Sequence, residues 1–277
     1  MELYTKVAYE NSRHLTLSYS TSFGISSRMF SQEIRHHIYA VYGLVRIADE
    51  IVDTYKGVDA RQILDNLELE TYEAMKRQYS ANPIVHAYAL TAKKYDIDKK
   101  LIEPFFESMR MDLTPRLYTS NDYLRYIHGS AEVIGLMCLK VFCTGDNTKY
   151  EELRVGASAL GSAYQKVNFL RDLAADYKQL GRLYFPDVTY ENFDEEAKQA
   201  IVRDIKDDFK VAYTSLQALP LSSRRATMMS YVYYFELLKK LEQTPVDVIK
   251  SRRVRLPSGR KTVLLLKALL GQRLNRG

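Results

Sequence analysis

A single all-α domain is the fold this sequence predicts, and three observations predict it. Apolar residues recur at helical spacing along most of the chain, strand signals are weak everywhere, and the polar residues inside apolar runs return every fourth position. The 277 residues hold 12 Gly and 7 scattered Pro, with no Ser/Gly-rich linker, low-complexity tract or solenoid-length repeat, so one large core is expected over residues 1–277. Charge at the amino terminus, where a leader would need an apolar region, and apolar runs that look too short for a membrane span predict a cytoplasmic protein. Cys138 and Cys143 are too far apart for a CxxC pair and are expected as buried, reduced thiols.

Net charge is +6, but it is unevenly placed. Nine of the 40 Lys and Arg lie from Lys250 onward, where no acid occurs, so the preceding chain is slightly acidic with its 34 Asp and Glu. A basic tail, 251–277, on an acidic body argues against nucleic acid as a partner. It suits a basic lid over an anionic ligand or contact with an anionic membrane surface.

Residues 3–20 read as a helix that breaks at Tyr19-Ser20-Thr21-Ser22-Phe23-Gly24. The small hydroxyls and free amides there are those of a phosphate contact or of an ordinary cap. From Ser31 apolar spacing resumes through Ile34, Ile38, Val41, Val45, Ala48 and Val52, predicting a helix to Asp53 that carries Asp49 and Asp53 on one face. Asp59-Ala60-Arg61-Gln62 has the form of a capping box opening a scaffold helix to about Tyr79. Pro83 and Asp98 start two more. The second ends at Asp112, which Thr114-Pro115 follows, and Asp112 reads as a surface or capping acid.

Ser120 or Asn121 opens a long apolar helix through Cys138. Its small residues Gly129, Ala131 and Gly135 would let a helix or a hydrocarbon approach closely, and Glu132 among them must find a partner or stay protonated. Thr148-Lys149-Tyr150-Glu151 reads as another capping box, and its helix carries Gln165-Lys166-Val167-Asn168-Phe169-Leu170-Arg171-Asp172 through Asp176. Asn168, Asp172 and Asp176 share one face, separated by roughly 6 Å each along the axis. Gly181-Arg182-Leu183-Tyr184-Phe185-Pro186 stops that helix. Helices over 194–218 and 222–243 follow, the last with a stripe of Tyr231, Tyr233, Tyr234 and Phe235 that reads as core.

Two acid pairs in apolar settings, each beside an arginine (Arg46, Arg171), suit magnesium holding a diphosphate whose remaining oxygens the arginines take. A di-iron bundle would need two Glu-x-x-His pairs, and only Glu33 to His36 occurs. A helical scaffold or interaction protein would set its acids among polar residues, whereas Ile, Val, Leu and Phe flank these.

From about Tyr19 to Arg255 the motifs Arg46-Ile47-Ala48-Asp49-Glu50-Ile51-Val52-Asp53, Gln165 through Asp176 and Gly181 through Pro186 resemble those of the squalene/phytoene synthase family. The resemblance implies an isoprenoid synthase bundle around an apolar channel that joins two prenyl diphosphates head to head. It implies metal ligands at Asp49, Asp53, Asn168, Asp172 and Asp176, with Glu50 as an accessory and magnesium or manganese as the ion. Diphosphate contacts fall on Ser20, Ser22, Arg46, Gln165, Arg171 and Arg253. Tyr126 falls near the reacting carbons, so Asp49, Asp53, Asp172, Asp176 and Tyr126 form the implied catalytic set. Phe23 and the small faces from Tyr126 to Met137 would line the channel. His128-Gly129-Ser130-Ala131-Glu132 is similar to bacterial phytoene synthases, which implies two geranylgeranyl diphosphates, no NADPH and a place early in carotenoid biosynthesis. Squalene or dehydrosqualene formation from farnesyl diphosphate is the alternative. The basic tail is expected either on the inner face of the membrane or packed on the bundle.

Overall fold

The computed structural model describes residues 2–114, 118–186 and 188–257. Twelve α-helices occur among them: α1 (Glu2–Tyr19), α2 (Thr21–Ser27), α3 (Gln32–Asp53), α4 (Ala60–Arg77), α5 (Pro83–Lys94), α6 (Lys99–Asp112), α7 (Ser120–Ile127), α8 (Val133–Cys143), α9 (Asn147–Ala175), α10 (Glu195–Ala218), α11 (Leu221–Gln243) and α12 (Val246–Ser251). No strand occurs among the described residues.

Local chemistry sets most boundaries. Asp98 caps α6 by accepting from the Leu101 amide at 3.0 Å, and Asn82 caps α5 with Pro83 in its first turn. Two expected capping boxes are corrected. The Asp59 carboxylate makes no cap and accepts from Tyr55 Oη at 2.7 Å instead. Asp146, not Thr148, caps α9, accepting from the Lys149 amide at 2.9 Å, so the helix begins earlier than expected. A complete box does form at Thr119 and Asp122, opening α7.

The long apolar helix expected from Ser120 is continuous to Cys143 but passes through a π-helical turn at His128–Glu132. By length and composition Ser120–Cys143 would suffice to cross a membrane, contrary to the sequence expectation, yet more than half of its most apolar stretch is buried in the bundle. Its small residues let backbones touch, as expected. A Cβ on Gly129 would lie 2.1 Å from the Pro104 carbonyl oxygen of α6, and one on Gly135 would lie 2.8 Å from that of Ala157 in α9. A second π turn, Asp176–Leu180, extends α9 until Gly181, at φ +64°, ends it.

One continuous core runs from Phe30 to Leu256. Helix α9 lies against α8, α10, α11 and α12, while α3 lies against α1, α4, α5 and α6. Helix α8 packs on both α3 and α9, and these two acid-bearing helices form walls of a single cavity.

Candidate active site

The cavity has a volume of about 790 Å³. Its walls come from α2, α3, α8, α9, α10 and α11, and are apolar along most of their length. At one end arginine and amide side chains collect, Arg46, Gln165, Asn168, Arg171 and Arg253, beside Ser20; the hydroxyls of Ser26, Ser130, Ser215, Thr227 and Ser230 also line the cavity. Phe23 lines it too, its ring stacked on Tyr42 at 5.2 Å. Six of the seven residues expected to touch substrate therefore meet at this mouth. The side chain of the seventh, Ser22, lies outside the described residues. Ser20 also does what a cap does, accepting from the Phe23 amide at 3.2 Å.

Each acid motif is crossed by guanidinium groups. On α3, Arg46 bonds Glu50, lies 3.7 Å from Asp49, and stacks over the Tyr19 ring at 4.3 Å. On α9, Arg171 holds Asp172 through both oxygens, at 3.0 and 2.6 Å, and Arg253 reaches the same carboxylate at 2.7 Å. Arg253 comes from the segment after α12, which is anchored by buried Val254 and Leu256. Burial and the neighbouring Arg171 push the Arg253 guanidinium below its ordinary range.

Asp49 and Asp176 carry protons unusually well. Burial, then the charges of Asp53, Asp112 and Glu50, raise Asp49 to about 7 against the pull of Arg46. Burial, then Asp172, Asp53 and Asp112, raise Asp176 to about 7 against Arg182. Asp176 of the α9 motif therefore feels Asp53 of the α3 motif, and the two acid faces share one field. Among the described residues no three His, Cys, Asp or Glu side chains stand close enough to hold one ion by themselves. The donor set still fits magnesium, which is usually held by one or two carboxylates, water and substrate phosphates. Asn168 Oδ1 is buried with no hydrogen-bond partner, an uncompensated acceptor on the face where a cation is expected.

Below the mouth lies a network that the sequence reading missed. Asp112, expected at the surface, is buried, and its carboxylate accepts from Tyr126 Oη at 2.6 Å and from Tyr184 Oη at 3.2 Å. Arg182 is 5 % exposed and ties three elements together. It donates to Asp53 Oδ1 at 2.9 Å, to the Asp112 carbonyl at 2.6 Å, and to the Val52 carbonyl at 3.4 Å. Burial raises Asp112 to about 6 even with Arg182 beside it. Arg182 and Tyr184 stood inside a motif that marked the family, but the motif alone assigned them no partner. Asp112 had no sequence signal beyond its place at a helix end.

Tyr126, like Asp49, Asp53, Asp172 and Asp176, is not among the residues that line the cavity; its ring is buried between Tyr118, Tyr184 and Phe169, and it meets the acids through Asp112. Channel lining on this helix starts later, with Ser130, Ala131, Ile134, Gly135 and Cys138, while Met137 faces the Tyr88 hydroxyl. Glu132 finds a partner: His128 Nδ1 at 2.9 Å, whose pKa rises through that bond. The aromatic stripe of α11 divides. Tyr231 and Phe235 pack on Phe209 as core, but Tyr233 and Tyr234 line the cavity, Tyr234 stacking on Tyr164 at 4.1 Å.

Residues 17–260 match the model of the family described as squalene/phytoene synthase. A 15-cis-phytoene synthase of Synechococcus elongatus is 28% identical over 95% of this chain and 92% of its own. A 15-cis-phytoene synthase of Pantoea ananas is also 28% identical, over 89% of this chain and 86% of its own. Among solved structures, a dehydrosqualene synthase superposes with a TM-score of 0.81 at 18% identity, over 97% of this chain and 98% of its own. A squalene synthase of Alicyclobacillus acidocaldarius gives 0.75 at 21% identity, over 87% of this chain and 96% of its own. The bundle is the all-α isoprenoid synthase fold, and the chain belongs to the squalene/phytoene synthase family of prenyltransferases.

Proposed function

We propose that this protein joins two geranylgeranyl diphosphates head to head into phytoene, through a cyclopropyl diphosphate, as an early step of carotenoid formation. The observation that carries the reading is the cavity itself: apolar along its length, with Arg46, Gln165, Asn168, Arg171 and Arg253 gathered at a mouth flanked by two acid-bearing helices. The curated relatives named 15-cis-phytoene synthase support the twenty-carbon substrate.

Asp49, Asp53, Asn168, Asp172 and Asp176 would hold magnesium, which when bound supplies Lewis-acid assistance to the departing diphosphate. Arg171 and Arg253 both rest on Asp172, and Arg46 on Glu50. An arriving diphosphate offers these forks more oxygens than one carboxylate, so the arginines turn from acid to substrate. Gln165 adds an amide donor at the same level.

Loss of diphosphate from one substrate leaves an allylic cation, which the double bond of the second attacks. A proton leaves to close the cyclopropane, the second diphosphate departs, and the rearranged cation loses another proton to give the linear product. The balance is two diphosphates and two protons released, with no reductant. Faces of Tyr42, Tyr164, Tyr233 and Tyr234 on the cavity wall stabilise positive charge, and the apolar lining keeps water from quenching it.

Product analysis tests this directly. Purified protein with magnesium and geranylgeranyl diphosphate should yield phytoene without NADPH, and Asp172→Ala should yield none. A thirty-carbon product from farnesyl diphosphate alone would reassign the substrate. No product from either, in folded protein, would return the chain to the scaffold reading.

A further inference from the structure

The cavity's lining residues farthest from the mouth are buried, and its depth can be read along α9. Its lining on that helix runs from Arg171 at the mouth to Leu153. Neighbouring helices keep step with it. A Cβ on Gly161 would meet the Ala131 carbonyl at 2.6 Å, one on Gly135 the Ala157 carbonyl at 2.8 Å, and one on Gly156 Ser215 Oγ at 2.1 Å. Ser162 also bonds Asp208 at 2.7 Å. Rising positions on α9 thus face falling positions on α8 and α10, so both run antiparallel to it. Extending that register puts Leu139 and Phe142 of α8, and Leu216 and Leu219 at the end of α10, at the level of Leu153.

There the tube closes. Phe30, in the turn before α3, meets Phe142 with ring centroids 5.4 Å apart. Phe30, Phe142, Leu153 and Leu219 are all buried, whereas Tyr19 at the mouth is 48% exposed.

Distance then becomes chemistry. From Asn168, among the polar groups of the mouth, to Leu153 is fifteen helical steps, about 22 Å. Carbon–carbon bonds of about 1.5 Å advance an extended chain by roughly 5 Å per isoprene unit. Four units span about 20 Å and end against Leu153, three span about 15 Å and stop near Ala157, and five overrun the floor.

We infer that Phe30, Phe142, Leu153 and Leu219 form the stop that sets substrate length in this chain at four isoprene units. The inference rests on the prenyl diphosphate reading above and names the residues that give it its length. None of the four lies among the polar groups of the mouth, so their substitution acts on chain length and not on ionisation.

The test is a competition among farnesyl, geranylgeranyl and geranylfarnesyl diphosphates with magnesium. Leu153→Trp raises the floor and should lower kcat/KM for the twenty-carbon substrate about 10- to 100-fold relative to the fifteen-carbon one. Phe142→Leu lowers it with little loss of packing and should raise use of the twenty-five-carbon substrate about 10-fold. Val155→Trp, on the same helix but exposed and outside the cavity, should leave the ratios unchanged. Retained fifteen-carbon activity in Leu153→Trp shows that the variant folds. Wild-type condensation with ratios unmoved in both floor variants overturns the stop alone. A wild-type protein that condenses none of the three overturns the reading on which it rests.

Discussion

Asp49 and Asp176 each titrate near 7 when no cation is bound, about three units above an ordinary Asp. Between about pH 4 and 7 the folded protein therefore holds protons that the unfolded chain has released, so these groups' contribution to stability falls as pH rises through that window. On the proposed function magnesium would take the deprotonated carboxylates, so its binding would tighten toward pH 7 and above and release protons. Thermal melts should show a magnesium-induced rise in Tm that is larger at pH 8 than at pH 5.5, and Asp49→Asn should shrink that difference. An equal rise at both pH values would remove these two acids from the ion's field. Arg182→Ala should cost about 3–5 kcal/mol in urea unfolding, because it strands buried Asp112 without its cation. A loss below about 1 kcal/mol, the range of surface pairs, would show that Asp112 is neutral in the native state. The contrast between Asp112 and Asp49 marks what the residues disclosed in advance. Asp49 announced itself by its spacing from Asp53 and its apolar flanks. Asp112 stands alone in sequence, and only the arrival of Tyr126, and of Arg182 and Tyr184 together, from two other segments makes it a centre.

Helices were the most legible feature at the next scale, since 3.6-residue periodicity survives in a single sequence. Their starts were less so: an oxygen that can cap an amide can equally bond a tyrosine, as Asp59 does. The two π turns left no mark in the periodicity. Both fall at the candidate site, the first placing Ser130 and Ala131 in the cavity wall and the second carrying Asp176. The close pairing of α8 and α9 was foreseeable from Gly135, but its partner was not. Gly161→Ala should destabilise the protein by about 1–3 kcal/mol, because the new methyl cannot share space with the Ala131 carbonyl and the helices must part. Urea unfolding would check this, and an unchanged midpoint would mean that the pair separates freely.

At the scale of the whole molecule, the cavity joins residues from Tyr19 to Arg255. No window of sequence shows such a volume, although the motifs at its mouth were readable one by one. The end of the described chain resolves part of the question raised by the basic tail. Val254 and Leu256 pack on the bundle and set Arg253 on Asp172, while the tail from residue 258 lies outside the described residues. We propose membrane contact for that remainder. Removing residues 258–277 should weaken sedimentation with anionic vesicles and spare activity in detergent, whereas removing everything from Arg252 should also lower activity by taking Arg253 away. Undiminished vesicle binding in the shorter truncation would assign the basic charge to another role.

A single uninterrupted helix, α9, carries the buried Leu153 and the polar Asn168, Arg171 and Asp172. Inserting one residue between them would turn one end against the other by about 100° and swing the acids out of the cleft. On the proposed stop, exchanging side chains at the floor would change the size of hydrocarbon made, whereas a single-residue insertion in this helix would part the floor from the mouth.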